Sequence, residues 1–304
     1  MKNNILIIGY GAMGKKYENI LKKDFKIFYY DKRKINKKNF LRNLINLQKL
    51  NILFSIISTP ANTHKYYAEL MIKNDINFLV EKPLFIKNEN WKPIISKIKK
   101  KKLICNVAYP RRHGKAYKYL KHLINNKKFI GDLKIIRTNY SQDFRKYRKD
   151  FKDIYYSSKR TGGGIVFDAL THHLNLISYF AGKIQKIKIF EKNLEIKDVK
   201  VSDTSSMEIK MFNGIYAFVF GNQFQKPNFD EIEFIGTKGN LKFERIQNKL
   251  FYLNENKSIL LKKFTESYED MFKKQIANYI MSINKKIPVS TSINEDFLNI
   301  KNLN

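Results

Sequence analysis

From the N-terminus to Tyr109 the apolar positions come in short, almost unbroken runs. "NNILIIG", "FKIFYYD" and "ILFSIIST" (Ile52 to Thr59) are followed by "NFLVEK" (Asn77 to Lys82) and "KLICNVAY" (Lys102 to Tyr109). Strands buried on both faces of a parallel sheet read this way, because neither face is wet. Helix-length segments lie between the runs. One spans Ala12 to about Lys22, and another is "NTHKYYAELMIKN", where Tyr66, Leu70 and Met71 are expected to share a face. This alternation predicts βαβαβ connectivity and a parallel sheet with helices on both sides.

Beyond about residue 118 the rhythm changes. A helical segment over Gly164 to Phe180 precedes "TSSMEIKMF", "GIYAFVFGN", "DEIEFIGTKGN" and "LKFERI", which read as strands parted by Gly or Asn turns. Met207, Ile209 and Met211 alternate with polar residues and predict one wet face. "IYAFVF" (Ile215 to Phe220) is apolar throughout and predicts cover on both faces, helices on one side and a second copy of the chain on the other. The expected fold class is α/β, with a parallel-sheet domain over residues 1–118 and a sheet-rich domain over 119–304.

Composition narrows the class without naming a function. A chain of 304 residues, 43% hydrophobic and 14% aromatic, can build two domains with a sizeable core. No apolar run approaches the roughly 20 residues of a membrane helix, and "MKNNILIIGYG" enters a glycine turn too soon to be a signal peptide. The single cysteine, Cys105, excludes an internal disulfide and fits a reducing, cytoplasmic setting. Lys+Arg 59 against Asp+Glu 27 gives +32, a balance that can mark a nucleic-acid or membrane partner. Here the lysines are scattered along the whole chain, and Lys, Asn, Ile, Phe and Tyr, whose codons can be built from A and T alone, are all abundant. No recognition helix, zinc-ligand spacing or concentrated basic stripe accompanies them, so no nucleic-acid, membrane or metal partner is expected. The field still draws anions towards any cleft.

Three segments carry chemistry. Gly9-Tyr10-Gly11-Ala12-Met13-Gly14 is G-x-G-x-x-G between a strand and a helix, and Asp31 ends the second strand. Such glycines permit a tight turn, close approach of a pyrophosphate, and close helix–strand packing, while the acid binds the adenosine ribose. An acidic side chain repels a 2′-phosphate and favours NAD; Lys32 and Arg33 beside it keep NADP as the alternative. Next, "FLVEKPLF" runs from a buried strand into Glu81, Lys82 and Pro83. The proline keeps Lys82 extended at the sheet's carboxyl edge, where a lysine can hold a substrate oxygen or ride out to water. In "GGGIVFDALTHHLNLISYFAG", Asp168 and His172 stand four apart and share a helix face, either as a general base with its orienting carboxylate or as a surface ion pair. His173 points elsewhere and reads as structural.

In this order, the motifs resemble the Gfo/Idh/MocA oxidoreductase family over essentially the whole chain. "STPANTH" (Ser58 to His64), "EKP", "AYPRRH" (Ala108 to His113) and "FIGTKGNLKF" (Phe234 to Phe243) continue the likeness. The resemblance implies a Rossmann domain, then a substrate-binding and oligomerisation domain with a large open, mostly antiparallel sheet used in dimers or tetramers. It also implies a nicotinamide cofactor and a sugar, polyol or nucleotide-linked sugar as substrate. On it, Lys82 matches the catalytic lysine, His172 the proton-transferring histidine and Asp168 its carboxylate. Thr59, Pro60, His64 and Glu81 fall on the cofactor side, and Tyr109, Arg112 and Arg160 on the substrate side. The family helix commonly reads Asp-x-Gly-x-His-x-x-Asp, whereas Leu170 and Asn175 stand here, and Pro110 and His113 replace the usual Asn and Phe. These departures bear on substrate identity.

The segment "FRKYRKDFKDIYYSSKR" (Phe144 to Arg160) is either a solvated surface or a basic, aromatic wall for an anionic substrate. "YYSSKRTGGG" resembles a subgroup met in surface-polysaccharide sugar pathways. A regulator that binds dinucleotide or sugar without turnover is the alternative function; the presence of Lys82, Asp168 and His172 favours an enzyme.

Overall fold

The five apolar runs become one parallel sheet. Its strands are β1 (Asn4–Ile8), β2 (Lys26–Tyr30), β3 (Ile52–Ile57), β4 (Asn77–Val80) and β5 (Cys105–Val107), in the order β2-β1-β3-β4-β5. The computed structural model describes residues 2–86 and 89–303. Ile5 to Ile8, Phe54, Ile56, Ile57 and Phe78 to Val80 are fully shut off from solvent, as strands covered on both faces must be. Helices α1 (Ala12–Leu21), α2 (His64–Lys73) and α3 (Lys92–Lys101) belong to the same part of the chain. The buried stripe of α2 is His64, Tyr67, Ala68, Met71 and Ile72, while Tyr66 is exposed. The expected face is therefore one position out of phase at Tyr66, because the helix starts on a buried His64 and its 3.6-residue period follows from there.

Pro110 opens a 3-10 turn, followed by α4 (Lys115–Lys121) and the long β6 (Leu133–Asp143). The predicted helix over Gly164 to Phe180 begins as a π turn, Val166–Leu170, and continues as α5 (Thr171–Ala181). Seven strands follow: β7 (Ile184–Lys192), β8 (Thr204–Met211), β9 (Tyr216–Asn222), β10 (Phe224–Gly236), β11 (Gly239–Glu244), β12 (Lys249–Leu253) and β13 (Ser258–Lys263). With β6 they form an eight-stranded sheet, β13-β12-β11-β10-β6-β9-β8-β7, parallel at β6–β9 and otherwise antiparallel. Met207, Ile209 and Met211 are buried, as their alternation predicts. Of the apolar run on β9, Ala217 and Val219 are buried, while Tyr216, Phe218 and Phe220 remain 37%, 42% and 42% exposed. The cover expected on both faces of "IYAFVF" is thus present on one, because the strand pleat turns these three rings to the open side of the sheet.

The last helices are α6 (Tyr268–Lys285) and α7 (Ile293–Ile300). The chain divides into two compact units, Met1–Tyr109 with Gln275–Phe297, and Pro110–Lys274 with Leu298–Asn304. This departs from a single cut at residue 118. Packing explains the return of 275–297 to the first unit. Tyr279 meets Phe54 edge-on at 5.5 Å and donates its hydroxyl to the Ile104 carbonyl at 2.9 Å. Thr291 donates its amide to Asn106 Oδ1 at 2.9 Å, and its carbonyl accepts the Val107 amide at 3.0 Å.

Candidate active site

In the first unit the carboxyl ends of all five strands carry the predicted residues. After β1, Gly9 turns with φ +90, and a Cβ there would stand 2.7 Å from the Ser58 carbonyl oxygen. A Cβ on Gly14 would stand 2.2 Å from the Gly9 carbonyl oxygen, so helix and strand meet through bare backbone. Gly11 has no atom within 4 Å of such a Cβ: open space lies over its backbone. Gly11 is also the N-cap of α1 and supplies no side chain, and the first turn, with Ala12 and Met13, carries no acid. The amides at that helix end are therefore left to an outside anion.

Asp31, just past β2, accepts the Tyr10 amide at 2.8 Å on Oδ2 and the Arg33 amide at 2.9 Å on Oδ1. Burial pushes its carboxyl up, but those two amides and then the Arg33 side chain outweigh it, so the acid is held below its usual range. Lys32 and Arg33 are exposed. After β3, Ser58 Oγ donates to the Gly9 carbonyl at 2.8 Å, which joins the two loops at the sheet's switch point. The Thr59-Pro60 turn is closed by Thr63, whose hydroxyl lies 2.7 Å from both Thr59 Oγ1 and the Pro60 carbonyl. His64 is buried with Nε2 at 2.8 Å from the Thr59 carbonyl and Nδ1 at 3.0 Å from that of Pro83. It ties the turn after β3 to the turn after β4, and burial pulls its ring down to about 4 against the pull of those carbonyls. The Lys82–Pro83 bond is cis. Glu81 is buried and accepts the Tyr17 hydroxyl at 2.5 Å. Burial raises its carboxyl, more than Tyr17 and the charge of Lys82 lower it. Tyr109, past β5, is buried.

The second unit brings a different set together. Asp168 lies in the π turn, where Oδ1 accepts the Tyr155 hydroxyl at 2.5 Å and Oδ2 the Gln223 amide at 3.3 Å. Gln223 is itself fixed by the Tyr156 hydroxyl on its Oε1. Tyr156 is fully buried in a small cluster with Phe144, Phe151, Ile196, Val199 and Val201. The segment offered as either a solvated surface or a basic, aromatic wall delivers Tyr155 to Asp168 and Tyr156 to Gln223, while part of its charge is paired locally. Arg145 meets Asp143 at 3.0 Å and Lys152 meets Asp198 at 3.1 Å. Arg160 is exposed in a 3-10 turn. His172 is half-buried on α5. His173 is buried, 3.2 Å from a guanidinium nitrogen of Arg111, itself in a bidentate pair with Asp230. Burial and then the Arg111 charge pull its ring down to about 3, which fits a structural role. Arg112 is buried and reaches both the side chain and the carbonyl of Asn175, at 2.6 and 2.8 Å. Its guanidinium also lies 5.3 Å from the Tyr179 ring. His113 is lowered to about 4 by burial, then by the charges of Lys118 and Arg112.

Tyr17 and Gln223 are absent from the sequence reading of the site, and Tyr155 enters it only within the segment 144–160, without its tie to Asp168. Gly14, Tyr17 and Leu21 are buried at helical spacing, a signal that marks Tyr17 as inward-facing but not what it touches. Tyr155 and Gln223 lie 13 and 55 residues from Asp168, and no local pattern joins them.

An open glycine backbone at a helix start, with an ionised acid at the end of the second strand, fits the pyrophosphate and ribose of NAD; the class is a dinucleotide-binding Rossmann oxidoreductase. The chain belongs to the GFO/IDH/MocA family: residues 3–109 match its "Oxidoreductase family, NAD-binding Rossmann fold" and residues 117–242 its "GFO/IDH/MocA C-terminal domain". Among curated relatives, "Oxidoreductase P35" of Formosa agariphila is 24% identical over 66% of this chain, and the match spans 61% of that relative, less than two thirds of its length. "Myo-inositol 2-dehydrogenase" of Thermotoga maritima is 21% identical over 80% of this chain and 72% of the relative. Among solved structures, a levoglucosan dehydrogenase in complex with NADH and levoglucosan shares the fold, with TM-score 0.86, 18% identity and coverage of 99% of this chain and 95% of that one.

Proposed function

We propose that the chain is an NAD-dependent dehydrogenase acting on a secondary alcohol, or the matching ketone, of a sugar, polyol or nucleotide-linked sugar. The observation that carries this reading is Asp168, held by Tyr155 and Gln223, four residues ahead of a half-buried His172 in a chain of this family. Relatives named for myo-inositol and levoglucosan support the substrate class. The cofactor, when bound, accepts or returns a hydride. In this reading the backbone of Gly9 to Gly14 holds the phosphates, Asp31 the ribose, and the Thr59-Pro60 turn with His64 and Glu81 borders the nicotinamide side. His172 takes the alcohol proton, Asp168 orients His172, and Lys82 donates a hydrogen bond to the reacting oxygen as negative charge develops there. Tyr109, Arg112 and Arg160 complete the substrate side.

A screen for NAD(H) fluorescence change against sugars, polyols and nucleotide sugars identifies the substrate. On that substrate, Lys82→Ala and His172→Ala are each expected to lower kcat at least about a hundredfold; near-wild-type turnover by either variant sinks the assignment. Arg112 and Lys121 flank the Tyr179 ring, with Lys121 Nζ 3.7 Å from its centroid, and Lys118 adds its charge near His113; this supports an anionic substrate such as one of surface-polysaccharide metabolism. Affinity indifferent to salt contradicts that part.

The exposed Tyr216, Phe218 and Phe220 on β9 support a homodimer or homotetramer with a second copy over the open sheet. Phe218→Asp should dissociate it in sedimentation, and a monomeric wild type at micromolar concentration rejects it. No described helix is long and apolar enough to cross a membrane; a cytoplasmic setting belongs to the same proposal.

A further inference from the structure

Glu18, on α1 two turns below the glycine turn, is where several groups converge. Lys37 Nζ donates to its Oε1 at 2.7 Å and the Tyr29 hydroxyl to the same atom at 2.8 Å. The Tyr10 hydroxyl donates to Oε2. The Lys37 ammonium also lies 5.1 Å from the Tyr10 ring centroid and 5.5 Å from that of Tyr29, and the two rings meet edge-on at 5.3 Å. Side-chain exposure is 32% for Lys37 and 14% for Glu18, so water screens this pair less than an ordinary surface one. Both groups are biased towards their charged forms. Burial pushes Glu18 up, but Lys37, Tyr10 and Tyr29 together hold it below its usual range; Lys37 is raised, first by Glu18 and then by Tyr10.

The loop that carries Lys37 follows directly on Asp31, the proposed ribose ligand. It leaves Asp31 and returns to the edge of β2, where the Tyr29 amide reaches the Asn39 carbonyl at 3.1 Å and the Leu41 amide reaches the Tyr29 carbonyl at 2.8 Å. Between those ties it carries Lys32, Arg33, Lys34, Lys37 and Lys38. A cationic loop at that position attracts a phosphate on the ribose 2′-oxygen. Two carboxylates answer it: Asp31 engages Arg33 at 3.3 Å, and Glu18 engages Lys37. Tyr10 joins the two arrangements, since its amide holds Asp31 and its ring lies under Lys37.

We infer that Glu18 is a specificity-determining residue for the dinucleotide: by holding Lys37 on α1 it keeps that ammonium from a ribose 2′-phosphate, and the chain selects NAD over NADP. A lysine on a flexible four-carbon stem that loses its carboxylate partner can swing to the nearest anion. With Glu18 neutral, an NADPH complex offers that ammonium a 2′-phosphate beside Asp31, whose oxygens the Tyr10 and Arg33 amides already hold, whereas NADH offers nothing new. The inference depends on the dinucleotide site alone and not on the substrate or on Lys82, Asp168 and His172.

The test needs no substrate. Wild type, Glu18→Gln and Glu18→Gln/Lys37→Met are titrated with NADH and with NADPH, and binding is read from nicotinamide fluorescence. Glu18→Gln should narrow the preference for NADH about tenfold, chiefly by tighter NADPH binding, and Lys37→Met in that background should restore the wild-type ratio. The gain should also vanish at high salt. An unchanged ratio in Glu18→Gln, or a gain that survives Lys37→Met, overturns the inference. Should Glu18→Gln not fold, Lys37→Met alone decides: a ratio like the wild type's supports the lock, and a selective loss of NADPH affinity shows that Lys37 already reaches the phosphate, which rejects it.

Discussion

Asp31 and Asp168 are the two carboxylates on which the proposed chemistry leans, and different kinds of group hold them. Asp31 is fixed first by the amides of Tyr10 and Arg33, with the Arg33 side chain at 3.3 Å, and the neighbouring strand-end loops are likewise joined through backbone: the Gly9 carbonyl under Ser58, and the Thr59 and Pro83 carbonyls on His64. Asp168 is fixed by a phenol and a side-chain amide, and that amide by a second phenol. Backbone donors are present whatever the side chain, so the first arrangement depends on where the chain can go. The second depends on which residues stand at distant positions.

Gly14 is where the backbone-held arrangement is most sensitive to one substitution. A Cβ there meets the Gly9 carbonyl at 2.2 Å, and backbone on both sides cannot give way as a side chain would. Gly14→Ala should cost about 3 kcal/mol or more and reduce NADH affinity at least about a hundredfold; binding within threefold of wild type would show that the turn is not held by its backbone. Tyr155→Phe tests the other arrangement. Losing a hydrogen bond to a charged group costs roughly 1.5–3 kcal/mol, so kcat on the identified substrate should fall at least about tenfold while NADH affinity stays put. A parallel loss of NADH binding would make Tyr155 a general support of the fold.

Gly11→Ala sharpens the first case with a smaller effect. Nothing in the protein lies within 4 Å of the new methyl, so the melting temperature should hold while NADH affinity falls about fivefold, because only the cofactor competes for that space. A fall in melting temperature with unchanged binding would reverse that reading. A separate effect, on the fold rather than on the site, is acid stability. His64 and His113, held down to about 4, and His173, held down to about 3, stay neutral in the fold where an unfolded chain has taken a proton near 6.5. The unfolded state then binds more protons, so stability should fall as pH drops from about 6.5 towards 4. Melts over that range should show a slope that His64→Gln makes shallower; an unaltered slope would mean that His64 titrates alike in both states.

The same contrast explains what could be read from the chain. The glycine turn, Asp31 and the strand-end Lys82 were legible because each rests on spacing within a few residues, and β1 to β5 because burial on both faces leaves unbroken apolar runs. Tyr155 and Gln223 were not, since their meeting at Asp168 depends on β9 and β10 folding beside a loop cluster. The open side of β9 was half legible: the apolar run was plain, but only the pleat tells which three rings lack cover within the chain. Glu18 and Lys37 carried no signal, being two charges among many in a lysine-rich protein.

The return of Gln275–Phe297 to the first unit has a bearing on how this protein can be taken apart or recombined. A fragment ending at Tyr109 would leave the Ile104 carbonyl without Tyr279 and Asn106 without Thr291, and would bare Phe54. A nucleotide-binding module cut as one stretch is therefore incomplete. Swapping it between relatives, or permuting the chain to express it alone, means carrying two pieces together and rejoining them where α6 and α7 are severed.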